Sequence, residues 1–289
     1  MILPMAQVSP MNITNQHVYA ALCHLRDGSH SLDTDPAYGH LVQNKRVAIV
    51  GPATTTLGTH QGPLIDSYDL VVRFNDAIAH LPMTGSLADD IGTKADILYC
   101  NQTILRENIL AQKGLSHAQC RQVCDEVGVK YFVCTNNGLS FDSTGTPQPS
   151  CDVQDKTVIA DFQRWLSQHR MRPKLRVVYA PSALLIQWLQ GYCGRTGLIA
   201  IVDLLSFDIA HLYITGMTFY HGGGHLYPQG SAELHPLKNR DGTWASSQST
   251  PGHNSYVELA LMRVLAQCFR HKLALDEHLR KLVDSNEMV

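Results

Sequence analysis

The sequence predicts a doubly wound α/β protein built on a mostly parallel sheet. Three observations lead there. Short continuous apolar runs recur along the chain, among them Val47–Val50, Leu70–Val72, Val129–Cys134 and Leu212–Thr215. Runs of this kind mark strands covered on both faces. Segments of helical period stand between them, and Gly, Pro and small polar residues end them, which is the alternation of strand and helix that gives an α/β core. A chain of 289 residues is long enough to bury a full core. We divide it into a lead-in, residues 1–44, and a single α/β domain, residues 45–289.

The lead-in is mixed in composition, with a short helix expected near Gln16–Arg26 and Gly, Ser, Asp and Pro from Gly28 to Pro36. Asp33-Thr34-Asp35 has the spacing of a metal–nucleotide clamp, but its turn-like context before the first strand reads as a solvated turn. The first strand, Val47–Val50, ends at Gly51-Pro52 and leads to a Thr-rich turn, Thr54–Thr56. The second, Leu70–Val72, delivers Arg73 and Asn75. In an open α/β sheet, ligands bind outside the carboxyl ends of the strands, and a small turn with backbone N–H groups beside Arg and Asn suits a phosphate ester. An ordinary strand–turn of an α/β protein has the same composition. Arg73 reads as structural, its head paired with a loop carboxylate, and Asp76, Asp89 and Asp90 read as solvated.

After a loop, Asp76–Gly85, a strand Ile97–Tyr99 is expected. Helices follow over Gln102–Gly114 and Leu115–Val127, the second with Ser116 as its N-cap. Val129–Cys134 is a strand. Asn136–Cys151 is rich in Asn, Gly, Ser, Thr and Pro, the composition of a long substrate-covering loop. A helix over Asp155–His169 and a strand over Leu175–Tyr179 come next, then a helix opened by Pro181. Gly194-Arg195-Thr196-Gly197 opens an apolar helix through Phe207. Its N-terminus offers N–H groups and the positive end of the helix dipole to a carboxylate or phosphate. Leu212–Thr215 ends at Gly216. A glycine-rich loop holding His221 and His225 follows, and a last helix is headed by His253, with Glu258 five residues on.

Composition narrows the function. A net charge of -2 leaves no basic footprint for nucleic acid. No run approaches the ~18 apolar residues of a membrane-spanning helix. The opening MILPMAQVSPMNIT has no basic segment before an apolar one, so it does not read as a signal peptide. The eight cysteines are scattered without a CxxC pair, and read as buried free thiols in a reducing compartment rather than a disulfide framework.

From Val47 to Glu258 the chain resembles the eukaryotic-type sialyltransferases, glycosyltransferase family 29. The L-motif region resembles VAIVGPATTT through IDSYDLVVRFNDA, DIGTK and LYCN. The S-motif resembles Gly194–Gly197 through Ile214–Met217, the third motif His225-Leu226-Tyr227, and the last, His-x4-Glu, His253 to Glu258. The resemblance implies a GT-A-like, Rossmann-type α/β/α sandwich and an inverting transferase. Such an enzyme moves sialic acid from CMP-sialic acid to a glycan hydroxyl, with no cofactor beyond the donor and no metal. CMP-Kdo as donor and a non-catalytic nucleotide- or carbohydrate-binding relative are the alternatives.

The resemblance also implies roles. His253 is the catalytic base and His225 meets the CMP phosphate, with His221 and His235 as competitors for that place. Asn75 binds the nucleotide, Tyr99 and Tyr179 contact its phosphate, and Thr196 and Gly197 hold the sialic acid carboxylate. Gly51, Ala53 and Gly216 complete the substrate-binding set. Three departures stand out. The family Asn after Gly51 is Pro52, so its donor contact falls to the Ala53 N–H or a Thr hydroxyl. The positions of the family disulfide are Val47 and about Ile209. Arg195 stands where the family has Ser, an added cation expected near the donor carboxylate. The missing disulfide and missing anchor lead us to expect a soluble, cytoplasmic protein.

Overall fold

The computed structural model describes residues 35–100, 115–135, 140–141, 147–148, 152–178, 195–219, 221–222, 224–226 and 255–285. Tyr179, His235, His253 and the expected helices at 16–26, 102–114 and 181–189 lie outside the described residues.

The sheet strands are β1 (Arg46–Val50), β2 (Leu70–Phe74), β3 (Ile97–Cys100), β4 (Tyr131–Cys134), β7 (Lys174–Val177), β8 (His211–Thr215) and β9 (Leu273–Leu275). Between β4 and β7 in the chain, β5 (Ser140–Phe141) and β6 (Pro147–Gln148) form a separate antiparallel pair. The helices are α1 (Pro36–Val42), α2 (Gly62–Asp66), α3 (Gly85–Ile91), α4 (His117–Val127), α5 (Asp152–Gln168), α6 (Thr196–Leu205), α7 (Ser255–Cys268) and α8 (Glu277–Asp284). The expected α/β class with a parallel central sheet is what the chain adopts.

All pairings in the seven-stranded sheet are parallel, in the order β7-β4-β3-β2-β1-β8-β9. Residues alternate between its two faces, as the period of a strand requires. Val47 and Ile49 of β1 join one core cluster with Val72, Leu198, Ile201 and Met262. Ala48 and Val50 join the other with Val71, Leu98, Phe132 and Phe162. Val47 and Ile209, the positions of the family disulfide, are apolar members of the same cluster. Cys100, Cys120, Cys124, Cys134 and Cys268 are free thiols.

The strand order reverses once. The chain winds outward from β1 through β2, β3 and β4 to β7, then crosses back to lay β8 on the other side of β1. At that switch the chain leaves β1 toward β2 and β8 toward β9, in opposite directions, and the carboxyl ends at such a switch are the usual place of the ligand crevice in these sheets.

Local chemistry explains the element ends. Ser116 caps α4 and forms a capping box with Gln119, and Gly128 closes the helix with φ 75°. The lead-in differs from its expected surface character. Asp35 accepts the Tyr38 N–H at 3.1 Å and caps α1, while Tyr38 and Val42 are fully buried. An N-cap aspartate before a helix explains the Asp33-Thr34-Asp35 spacing at Asp35 without a metal.

Candidate functional site

The turn after β1 and the turn after β8 are locked together. The Gly51 N–H donates to Thr215 O at 2.8 Å and the Ala53 N–H to Gly216 O at 2.9 Å. A Cβ on Gly51 would stand 2.2 Å from Gly216 O and 2.5 Å from Met217 Cγ. Gly216 has φ 66°, a left-handed conformation suited to glycine. Its N–H donates to Asp276 Oδ2 at 2.8 Å, and the Thr215 hydroxyl donates to the same oxygen at 2.9 Å. Met217 also closes on Gly197, where a Cβ would lie 2.3 Å from Met217 Cε. Gly51, Gly197 and Gly216 therefore meet around one methionine.

The glycine-rich loop is zipped onto the β1 turn. The Thr54 N–H donates to Gly224 O at 2.9 Å, the Gly224 N–H to Thr54 Oγ1 at 2.6 Å, and the Leu226 N–H to Pro52 O at 2.6 Å. Ala53 and His225 pair as an antiparallel bridge. His225 thus stands beside the β1 turn. His221 is buried, its N–H on Thr218 O at 2.8 Å.

The Ala53 N–H is spent on Gly216, so it cannot stand in for the side-chain amide that Pro52 lacks. Thr54 Oγ1 accepts from Gly224 and the Thr56 hydroxyl donates to Ala53 O at 3.0 Å. Thr55 Oγ1 is buried with no hydrogen-bond partner, so of the two substitutes expected at that place a Thr hydroxyl remains.

Asn75 follows β2 with φ 41° and opens a 3₁₀ turn, Asn75–His80. A non-glycine residue in that region is uncommon outside functional or tightly held sites. Arg73 is structural, as expected, but its partners are carbonyls: Nε donates to Lys94 O and Nη2 to Ile91 O and Gly92 O. Asp90 is not solvated. Its buried carboxylate accepts the Gly58 N–H at 2.7 Å and the His60 N–H at 3.0 Å. Burial pushes its pKa up, but these N–H groups and nearby His60 outweigh burial and hold it below 3.8.

Helix α6 begins at Thr196, two residues earlier than the apolar pattern indicates, so Thr196 and Gly197 form its first turn. Arg195 at the N-cap does not offer its charge to a ligand as expected. Its backbone N–H donates to Glu258 Oε1 at 3.1 Å and its Nη1 to Glu258 Oε2 at 2.5 Å. Glu258 is fully buried; burial raises its pKa above 4.5 and Arg195 pulls it back only in part. This pair ties α7 to the N-terminus of α6.

Tyr99 departs from its expected role. It is fully buried, its hydroxyl donating to Asp203 Oδ2 at 2.6 Å and lying 2.8 Å from the Tyr38 hydroxyl. Arg176 grips the same carboxylate at 2.7 and 3.0 Å and stacks 4.2 Å above the Tyr38 ring. Burial first, then the charge of Asp203, pushes the Tyr99 phenol well above its ordinary pKa. With no surface open to the crevice, Tyr99 anchors α1, β3 and α6 rather than a phosphate. The partner that decides this, Asp203, sits in an apolar helix 104 residues away, where no local pattern points to it.

Two further residues, neither among the expected site residues, shape the site region. Met217 fills the glycine junction. Asp276 caps α8, its Oδ1 accepting the Leu279 N–H at 2.7 Å. The Asp-Glu pair opening that segment is an N-cap signal through which Asp276 can be found.

Residues 9–135 match the model of glycosyltransferase family 29 (sialyltransferase). Over that stretch, rather less than half of the chain, the sequence is similar to the family. The match takes in the L-motif region with Gly51, Asn75 and Tyr99; the S-motif and the two later motifs lie beyond it. Sialyltransferase-like protein 2 of Oryza sativa subsp. indica is 31% identical over 106 residues, 35% of this chain and 25% of the relative. The chain therefore matches about a quarter of that relative's length. Among solved structures, the sialyltransferase Cst-II of Campylobacter jejuni, a variant in complex with CMP, is similar with 14% identity and a TM-score of 0.50 over 80% of each chain. That likeness is one of fold. A mammalian sialyltransferase is 19% identical with a TM-score of 0.44, covering 91% of this chain and 78% of that one. Among the described residues no helix is long and apolar enough to cross a membrane.

Proposed function

We propose that this chain is a family 29 glycosyltransferase that moves sialic acid from CMP-sialic acid to a glycan hydroxyl, with inversion and without a metal. The observation that carries the reading is the meeting of motif pieces far apart in sequence. Gly51–Ala53, Gly197, Gly216–Met217 and Gly224–His225 touch at the switch point of the sheet.

In this reading the first turn of α6, at Thr196 and Gly197, takes the sugar carboxylate, because helix N-terminal N–H groups and the dipole favour an anion there. Asn75 holds the nucleotide, and His225 and Tyr179 meet its phosphate. His253 takes the proton of the acceptor hydroxyl as that oxygen bonds to the anomeric carbon. The bond from that carbon to the phosphate oxygen breaks on the opposite face, and its electron pair leaves with CMP. CMP is a stable anion and needs electrostatic help more than a strong acid. The hydroxyl has a high pKa and needs a base poised near neutrality, where imidazole titrates.

The carboxylate and CMP contacts would serve CMP-Kdo equally. Pro52, which has no side-chain donor, favours instead a binding protein without catalysis. Following CMP release from CMP-sialic acid and from CMP-Kdo, with and without chelator, separates these readings. We expect release above the uncatalysed rate with one donor, unchanged by chelator. No release from either donor, across a range of glycan acceptors, would leave the binding protein, and loss of release under chelator would overturn the metal-free mechanism. His253→Ala should slow transfer by roughly 10²–10⁴ with CMP affinity unchanged.

A further inference from the structure

Helix α8 starts where β9 ends, so its first turn stands at the same carboxyl edge of the sheet as Gly51, Gly216 and the glycine-rich loop. Asp276 caps that turn and, through Gly216 and Thr215, fixes it to the end of β8. Two residues on, the His278 ring lies against the loop. A Cβ on Gly222 would stand 3.5 Å from His278 Cε1 and 3.6 Å from Nε2. Gly222 has φ 102°, so the chain passes the imidazole in a conformation reserved for glycine.

His278 Nε2 is buried and has no hydrogen-bond partner. A buried polar atom without a partner is rare, and each case calls for an explanation. Thr55 Oγ1 is a second such atom, in the turn to which the same loop is zipped through Thr54 and Gly224. Two segments that touch the glycine-rich loop, the β1 turn and the first turn of α8, thus each hold a buried polar atom without a partner. The one carboxylate in the same turn as His278 that faces the site, Asp276, already accepts from the Leu279 and Gly216 N–H groups and the Thr215 hydroxyl.

We propose that His278 is a ligand-binding residue at this end of the sheet, its Nε2–H donating to a phosphate monoester held by the loop, with the Thr55 hydroxyl donating from the β1 turn. The assignment rests on the sialyltransferase reading only for the identity of the phosphate, that of CMP. It adds a residue from beyond the last motif to the site, and it makes Thr55 the donor that Pro52 cannot be.

The test titrates the full chain with CMP and with cytidine, which lacks the phosphate, by calorimetry, and follows the His278 ring signals by NMR. The parent should bind CMP more tightly than cytidine, and the His278 ring should shift with CMP alone. His278→Ala and Thr55→Val should each weaken CMP binding by about tenfold and leave cytidine binding unchanged. A folded His278→Ala that keeps the full preference for CMP over cytidine overturns the assignment. If that variant does not fold, a parent His278 ring unmoved at saturating CMP overturns it instead. A parent that binds CMP without moving His278 leaves the sialyltransferase reading standing and this assignment fallen. A parent that binds no CMP removes both.

Discussion

Replacing Tyr99 by Phe separates a role in the donor site from a role in the core. The change removes a single buried oxygen and keeps the ring, which packs 6.5 Å from Phe74 between centroids. The deleted hydroxyl donates to Asp203 Oδ2 at 2.6 Å and meets the Tyr38 hydroxyl at 2.8 Å. A hydrogen bond to a charged group contributes about 1.5–3 kcal/mol. Asp203 keeps its two contacts to Arg176, so the carboxylate is not stranded and the loss should stay in that range. Because the Tyr99 pKa is pushed well above 10, the phenol stays neutral and the loss should not vary between pH 6 and 9. Urea unfolding should show a lower midpoint at unchanged slope, and calorimetry should give the parent's CMP affinity. A variant as stable as the parent that binds CMP tenfold more weakly would place the Tyr99 hydroxyl in the donor site and refute its assignment to the core.

Other expectations follow from the same contacts. Arg195→Ser leaves Glu258 buried without its cation, so its already raised pKa rises further. The stability deficit should then be small near pH 4.5 and grow as the pH rises to 7.5, read by urea unfolding at both values; a deficit that shrinks with rising pH would contradict the pairing. Asp90 has a lowered pKa, so its ionised form contributes stability above pH 3.8 that is lost as the pH falls through the folded value. Asp90→Asn should be less stable than the parent at pH 7, and the two should converge in acid titrations carried below the folded-state pKa. Gly51→Ala drives a methyl into Gly216 O at 2.2 Å and should cost about 1–3 kcal/mol or more. Gly39→Ala, whose nearest neighbour would be Phe207 Cε1 at 3.8 Å, should be neutral or stabilising by thermal melting.

The sequence by itself determined the fold class and most of the sheet. Runs such as Val47–Val50 and Val129–Cys134 are apolar at successive positions because both faces of the sheet are covered, and that pattern survives without any knowledge of neighbours. The cap at Ser116 and the left-handed turn at Gly216 are likewise local, set by a side-chain oxygen or a missing Cβ, whereas Gly51 lacks a Cβ because Gly216 O and Met217 lie against it. Short elements escaped. Helix α1 and strand β9 are too brief for a period to register, whereas helix α8 does carry local signals, its Asp276 cap and the apolar face of Leu279, Leu282 and Val283. Charges escaped as well. Position alone suggests that Arg195 and Tyr99 face the crevice and that Asp90 faces water. Glu258, Asp203, and the Gly58 and His60 N–H groups decided otherwise. A buried polar group takes whichever partner the fold brings within about 3 Å, and those partners lie 63, 104, and 32 or 30 residues away. Periodicity and motif spacing carry no record of such pairings, so only the tertiary structure could say which polar residues of the motifs are spent inside the fold.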